Sequence, residues 1–382
     1  MDLLSLCLAC LQSDQITNFV EKEEKSMTRV SLPLEQSPIT AYLHHAYPLS
    51  VVSGHEEVLP WLYSQYVQLR CFKDVHAHKY RDLFNFYTTS SKMVEIVPHL
   101  KVERVNKGFI TRWARDVVEF LIDALDQGYY CIVYVTHHYR TKLFYFQDVE
   151  HISEQMVFGY DKEAREFDIY GYNGDDNLVK FRRSFDDLAA AFYDTPVEQG
   201  WQEHVNLIRY DPDSSFDFRV ENVADVLEDY LTGADSSLRF LLYKFPVDHE
   251  SAFGVDVYPL VLQMLDEVER GELFLDYRIY HLIWEHKRLM TGRLRFLENR
   301  RFLNPESLWS VRYGGIENTA LAIRLGALKA IKTRSTSELS NLKRLLGQMV
   351  EQEAELLTGV VQELRRTSIG GAGEPRTQGI WA

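Results

Sequence analysis

Between residues 111 and 127 apolar side chains recur at Trp113, Val117, Leu121 and Leu125, a spacing that predicts a helix, and Gly128 stands where its C-terminal cap belongs. The run that follows, Tyr129 to Val135, is made of β-branched and aromatic residues and reads as a buried strand. Two further strands are predicted at Gln155–Tyr160 and Glu166–Tyr172, joined by the short charged connection Asp161–Arg165. Ser184-Phe-Asp-Asp187 has the form of a capping box opening a helix through Tyr193, and His204–Tyr210 reads as one more strand. Upstream, a helix is expected over about Glu56–Arg70, where Trp61, Tyr63 and Tyr66 share a core face or line a substrate wall. After Ser251 the strand signals stop. Helices are predicted over Val257–Arg270, Tyr277–Asn299 and Ser335–Arg366, with a further one between Glu317 and Lys332.

The last of these helices carries Leu339, Leu342, Leu346, Met349, Glu353, Leu356 and Val360 at alternating steps of three and four. That is an apolar seam interrupted by one glutamate. It predicts a helix packed within its own chain or, as a second reading, a coiled-coil arm that would make a homodimer. Residues 1–28 stand apart from the rest and end in the charged run Glu21–Lys25; residues 367–382 read as a flexible tail. The expected organisation is therefore an N-terminal extension over 1–28, an α+β domain over 29–250, a helical domain over 251–366, and the tail.

Composition narrows the function classes. Lys and Arg number 42 against 56 Asp and Glu, a formal net charge of −14, and no cationic stripe is present, which argues against nucleic acid and against an anionic membrane surface as partners. The apolar stretch Leu3–Leu11 is too short to span a bilayer and lacks a basic flank, so a cytoplasmic location is expected. Four cysteines make neither a disulfide framework nor a zinc spacing, and Cys7-Leu-Ala-Cys10 lacks the preceding strand of a redox motif. The pairs His44-His45 and His137-His138 and the His76-x-His78 motif have no acidic or thiol partner at ligand spacing, so no metal is expected. No phosphate-binding glycine loop occurs.

The order of elements from Leu121 to Tyr193 carries more information. A helix ends in Leu-Asp-Gln-Gly128, and the strand Tyr129–Val135 follows. A second strand ends in Gly159-Tyr160-Asp161, a hairpin leads to Phe-Asp-Ile-Tyr-Gly171-Tyr172-Asn173, and Ser184 opens a helix. This order resembles the core of the papain-like fold in its C39-peptidase-like form, and within that group the family of the N-terminal domain of butirosin biosynthesis protein H. The Pro60-Trp61 segment and the helical remainder are similar to that family as well. The resemblance implies an α+β papain-like domain followed by an α-helical domain. It further implies a place in natural-product, including nonribosomal peptide, biosynthesis. The expected chemistry is amide- or ester-forming acyl or peptidyl transfer from a phosphopantetheinyl carrier protein to a small amine or alcohol, or release of the chain, with no other cofactor.

The family's chemistry implies a cysteine nucleophile at a helix N-terminus, a histidine base and an orienting acid. Here the base position, six residues before Gly159, is Ser153, with His151 two residues earlier and Glu154 beside it. The orienting position is Gly171, followed by Asn173 and Asp175. The approach to the expected first helix holds Ser50, Ser53, Gly54 and His55 but no cysteine; Cys71 lies at its far end and Cys131 in a core strand. Acyl transfer without a standard Cys-His-Asp triad is one expectation, with His151, Ser153, Glu154, Ser53 and His55 as its groups. A catalytically inactive docking or scaffold protein for an assembly-line enzyme is the other. Convergence of His151, Ser153 and Ser53–His55 on one cleft favours the first; a cleft filled by aromatics such as Tyr47, Trp61 and Tyr172 favours the second. Tyr47, Trp61, Tyr172 and Asn173 are the substrate-binding candidates.

Overall fold

The computed structural model describes residues 27–78, 82–88, 94, 96–113, 116–137, 151–173, 177–195, 203–240 and 250–370. Its first half is built on β1 (Arg29–Ser31), α1 (Leu43–Val52), α2 (Leu59–Ser64), β2 (Leu69–Phe72), α3 (Val75–His78), β3 (Phe84–Phe86) and β4 (Leu100–Asn106). Then come α4 (Lys107–Trp113), α5 (Val117–Asp126), β5 (Tyr130–His137), β6 (His151–Asp161), β7 (Glu166–Tyr172), β8 (Leu178–Ser184), α6 (Phe185–Asp194) and β9 (His204–Tyr210). The chain closes with α7 (Val220–Thr232), β10 (Ser251–Phe253), α8 (Val257–Glu269), α9 (Tyr277–Asn299), α10 (Trp309–Thr333) and α11 (Thr336–Gly370). This is a mixed α+β chain with an antiparallel sheet and a C-terminal helical region.

The large sheet runs β4-β9-β5-β6-β7-β8, and β1 pairs with the end of β6, on the edge that β5 has left. Its two faces bury different cores. Cys131, Val133, Val135, Val157 and Ile169 pack with α5 and α6 on one side. Tyr130, Ile132, Met156, Phe158 and Tyr170 point to the other side, into a core shared with α1 and the C-terminal helices. A small sheet, β10-β2-β3, joins that second core, and β10 reaches it from beyond residue 250. The seam of α11 is spent inside the chain: Leu342, Leu346, Met349 and Val360 are buried in the shared core, and the interrupting Glu353 ion-pairs with Lys287 of α9 at 2.6 Å.

Gly159 and Tyr160 have structural duties. A Cβ at Gly159 would stand 2.5 Å from the carbonyl of Val30, so only glycine lets β1 lie against β6. Tyr160 is buried, and its hydroxyl donates to Asp126 at 2.5 Å. Asp161 accepts from the amides of Glu163 and Ala164, closing the hairpin. Ser184 accepts from Asp187 N–H at 3.1 Å as the capping box requires, and Gly128 takes φ +80° past α5. The helix expected over 111–127 is interrupted: Asp116 accepts from Val118 N–H and starts α5 afresh.

The first helix is the main correction. Residues 56–70 do not form one helix; they hold a single 3-10 turn, the short α2 and the start of β2. The buried helix of this region is α1, thirteen residues earlier at its start, with Ala46, Tyr47, Leu49 and Val52 in the core. Pro48 sits within it and has no N–H, so the His44 carbonyl loses its intrahelical donor.

Candidate functional site

Moving the helix moves the site. The N-terminus of α1, not its C-terminus, meets the ends of β6 and β7, and a cavity of about 210 Å³ lies there. Tyr42 and His44 of α1's start border it, with Ser153 and Glu154 of β6, Tyr172 at the end of β7, and Arg278 of α9. The segment leading into α1 is held from the helical half: Glu285 of α9 accepts from the amides of Thr40 at 2.6 Å and Ala41 at 3.2 Å. Arg278 is clamped by Asp276, Nη2 to Oδ2 2.7 Å, and stands 5.7 Å from the centre of the Tyr42 ring.

Which residue of β6 faces α1 is decided by a bulge. Alternation counted back from Gly159 reaches Val157, Gln155 and Ser153, but the ladder with β7 slips between Val157 and Gly159. The slip reverses the phase, so Phe158 and Met156 point to the α1 side and Glu154 continues their row. Ser153 instead lies opposite Val135, whose side chain belongs to the core on the other face. Glu154 lies opposite Tyr134, hydrogen-bonds to it, and Tyr134 in turn hydrogen-bonds to Asn206 of β9. Desolvation is the main cause that raises the Glu154 carboxyl from 4.5 to about 7; the Asp82 carboxylate adds to it and the Tyr134 hydrogen bond opposes it. A carboxyl poised there gives and takes a proton near neutral pH.

At the His44 side of the cavity, Asn85 of β3 ties two histidines together. Its Oδ1 accepts from Phe86 N–H at 2.8 Å and meets His45 Nε2 at 2.9 Å; its Nδ2 donates to Asp82 and to His44 Nε2, both at 3.2 Å. Burial pushes His44 down to about 4, helped by Arg70, and His45 down to about 3, so both rings are neutral.

The other expected groups fall elsewhere. Ser53 is at the C-terminal end of α1, where its hydroxyl donates to the Leu49 carbonyl, and His55 stacks on Tyr210 at 3.6 Å. Ten residues of helix put them about 15 Å from the cavity. Tyr47 and Trp61 are core residues: Tyr47 donates to the Glu154 carbonyl at 2.8 Å, beneath the cavity, and Trp61 packs edge-on to Tyr66. Asn173 closes a turn with Asn177 past β7. His151 heads β6 opposite His137; its side chain is outside the described residues, as are Cys7, Cys10, His138 and Asp175.

Both described cysteines are buried, and burial disfavours their thiolates: the Cys71 thiol is pushed up to about 12, and Cys131 is raised as well. The α1 N-cap is Tyr42, whose hydroxyl donates to the Phe84 carbonyl at 2.9 Å and whose burial keeps the phenol protonated. Among the described residues no group of three His, Cys, Asp or Glu is arranged to hold a metal ion, and no helix is long and apolar enough to cross a membrane. His76 pairs with Glu267 at 3.2 Å, and His78 stacks on Phe72. A scan against protein-family models finds no match to this chain, and no curated protein matches it. Glu154 was among the expected groups; His44 was not, because a histidine pair on an apolar face reads as structural until its helix is placed.

Proposed function

We propose that the chain is a C39-peptidase-like papain fold in which carboxylate chemistry stands in for cysteine chemistry. In this reading it is a cytoplasmic protein of natural-product, nonribosomal-peptide-type biosynthesis. It moves an acyl or peptidyl group from a carrier-protein thioester to a small amine or alcohol. The observation that carries the proposal is Glu154, held at about 7 in a cavity at the N-terminus of a buried helix. A thioester is already activated, so direct attack by a positioned amine needs no covalent intermediate.

The amine nitrogen bonds to the acyl carbon while the Glu154 carboxylate takes one of its protons. The carbon–sulfur bond breaks, and the same proton passes to the departing thiolate. The amide and the free carrier thiol leave, and Glu154 returns to its starting state. General acid–base help of this kind is worth roughly 10²- to 10⁴-fold. A second reading, a docking protein for an assembly-line enzyme without catalysis, is favoured by Tyr42 at the N-cap, where the family implies a thiol.

Intact-protein mass spectrometry with an acyl-loaded carrier and a panel of amines tests both. The expected result is acyl loss from the carrier and amide formation with no acyl adduct on this chain, abolished by Glu154→Gln. An adduct on a side chain would establish covalent catalysis instead. A carrier that binds but stays loaded with its own acceptor present would leave only the docking role.

A further inference from the structure

The Asn85 amide fixes the protons on two histidines, because one of its four partners can only donate. A backbone N–H can only donate, so the atom that Phe86 N–H meets is Oδ1. The other amide atom, which faces Asp82 and His44, is therefore Nδ2. It follows that His45 donates from Nε2 to Oδ1, and that His44 accepts at Nε2 from Nδ2. His44 is therefore the tautomer with its proton on Nδ1.

We propose that His44 is the fixed hydrogen-bond donor of the cavity: its Nδ1–H receives the carbonyl oxygen of the acyl group as charge develops there, while the imidazole itself exchanges no proton. The inference rests on the acyl-transfer reading of the cavity. His44 borders the same cavity as Glu154, and its ring is stacked on Tyr42 with centroids 5.5 Å apart. The groups facing it are Asp82 and Asn85, His45 beside it on α1, and Arg70 of β2. With its pKa near 4, the ring stays neutral at working pH and cannot compete with Glu154 as the base. A neutral imidazole held in one tautomer is a preorganised donor, and a donor of this kind gains most where charge appears in the transition state. Two groups of different kind then divide the work, Glu154 moving the proton and His44 holding the oxygen.

The test has two arms on the full-length protein. Selective ¹⁵N-histidine NMR, with the His44 signals assigned by loss in His44→Phe, reads the tautomer and its titration. Infrared spectroscopy of carbonyl-¹³C S-acetyl-N-acetylcysteamine, a small thioester, reads the donor. The expected result is a protonated Nδ1, a bare Nε2 and no titration above pH 5. The bound carbonyl stretch then moves to lower wavenumber in the wild type and not in His44→Phe. Transfer falls roughly 10²- to 10³-fold in His44→Phe, and His44→Gln, which keeps an N–H donor, recovers part of it. A proton on Nε2, or titration between pH 6 and 7, overturns the inference whether or not the thioester binds. A thioester that binds with the same stretch in both proteins overturns it while leaving the acyl-transfer reading standing. A thioester that does not bind the wild type removes that reading, and His44's role at an acyl oxygen goes with it.

Discussion

At the scale of single residues, Glu154 and one bulge in β6 shape the cavity. The Glu154 carboxyl is raised in the folded state, so the folded protein holds a proton there that the unfolded chain has released. The stability this contributes is full below pH 4.5 and is lost as pH rises toward and through about 7. Glu154→Gln removes that loss: its melting temperature should climb relative to the wild type between pH 5 and 8 in a thermal series. A constant difference across the series would say that Glu154 is ionised in the fold. Glu154 was legible in the sequence only as a neighbour of Ser153. Strand alternation is a reliable count until an extra residue enters, and nothing in Val157-Phe158-Gly159 announces one. The identity of Gly159 was visible; its reason, the Val30 carbonyl 2.5 Å from where a Cβ would be, needs a partner strand distant in sequence. Gly159→Ala should cost about 1–3 kcal/mol by urea denaturation through that overlap.

At the scale of elements, the strands β6, β7 and β9 and the helices α8 and α9 were readable because their periods are regular and their ends are marked. The helix that positions the site was not. His44 and His45 are polar, Pro48 interrupts the hydrogen-bond pattern, and α1 is buried almost all round, so no amphipathic stripe appears. What holds its entry is a contact 245 positions away, Glu285 on the Thr40 amide. Glu285→Ala should therefore raise hydrogen exchange at Thr40 and Ala41 roughly ten- to a hundredfold, the loss of a charge-assisted hydrogen bond. Exchange unchanged at those two amides would mean that α9 does not position α1. β4 and β8 escaped the pattern as well, because strands of mixed polarity such as Leu-Val-Lys-Phe-Arg-Arg-Ser carry little period-two signal, and the strands of the small sheet are only three or four residues long.

At the scale of the molecule, one core runs from the sheet face through α1 to α11, and a fully buried polar knot sits inside its helical part. Lys287 Nζ lies 2.8 and 2.6 Å from the two oxygens of Glu353 and 2.6 and 2.9 Å from the hydroxyls of Tyr258 and Tyr230, four acceptors around its three N–H groups; Tyr313 donates to Glu353 as well. The knot thus ties together α7, α8, α9, α10 and α11. Removing one partner, as in Lys287→Met or Glu353→Leu, strands a buried charge and should cost about 3–5 kcal/mol, whereas the double substitution should recover much of it. Equal losses in the single and double variants would show that the pair is not coupled. The glutamate in the α11 seam looked like a flaw in a coiled coil; its partner lies 66 residues earlier, beyond any local pattern. The helical half also supplies Arg278 and Glu285, so the cavity belongs to the whole chain.

In the proposed reaction the Glu154 carboxyl, at the cavity by the head of α1, moves protons near neutral pH. ¹³C NMR of side-chain-labelled glutamate, with the Glu154 signal identified by its absence in Glu154→Gln, measures its titration directly. The expected titration midpoint is near 7. A midpoint near 4.5 would contradict it, leaving the cavity with no acid–base group among those described here.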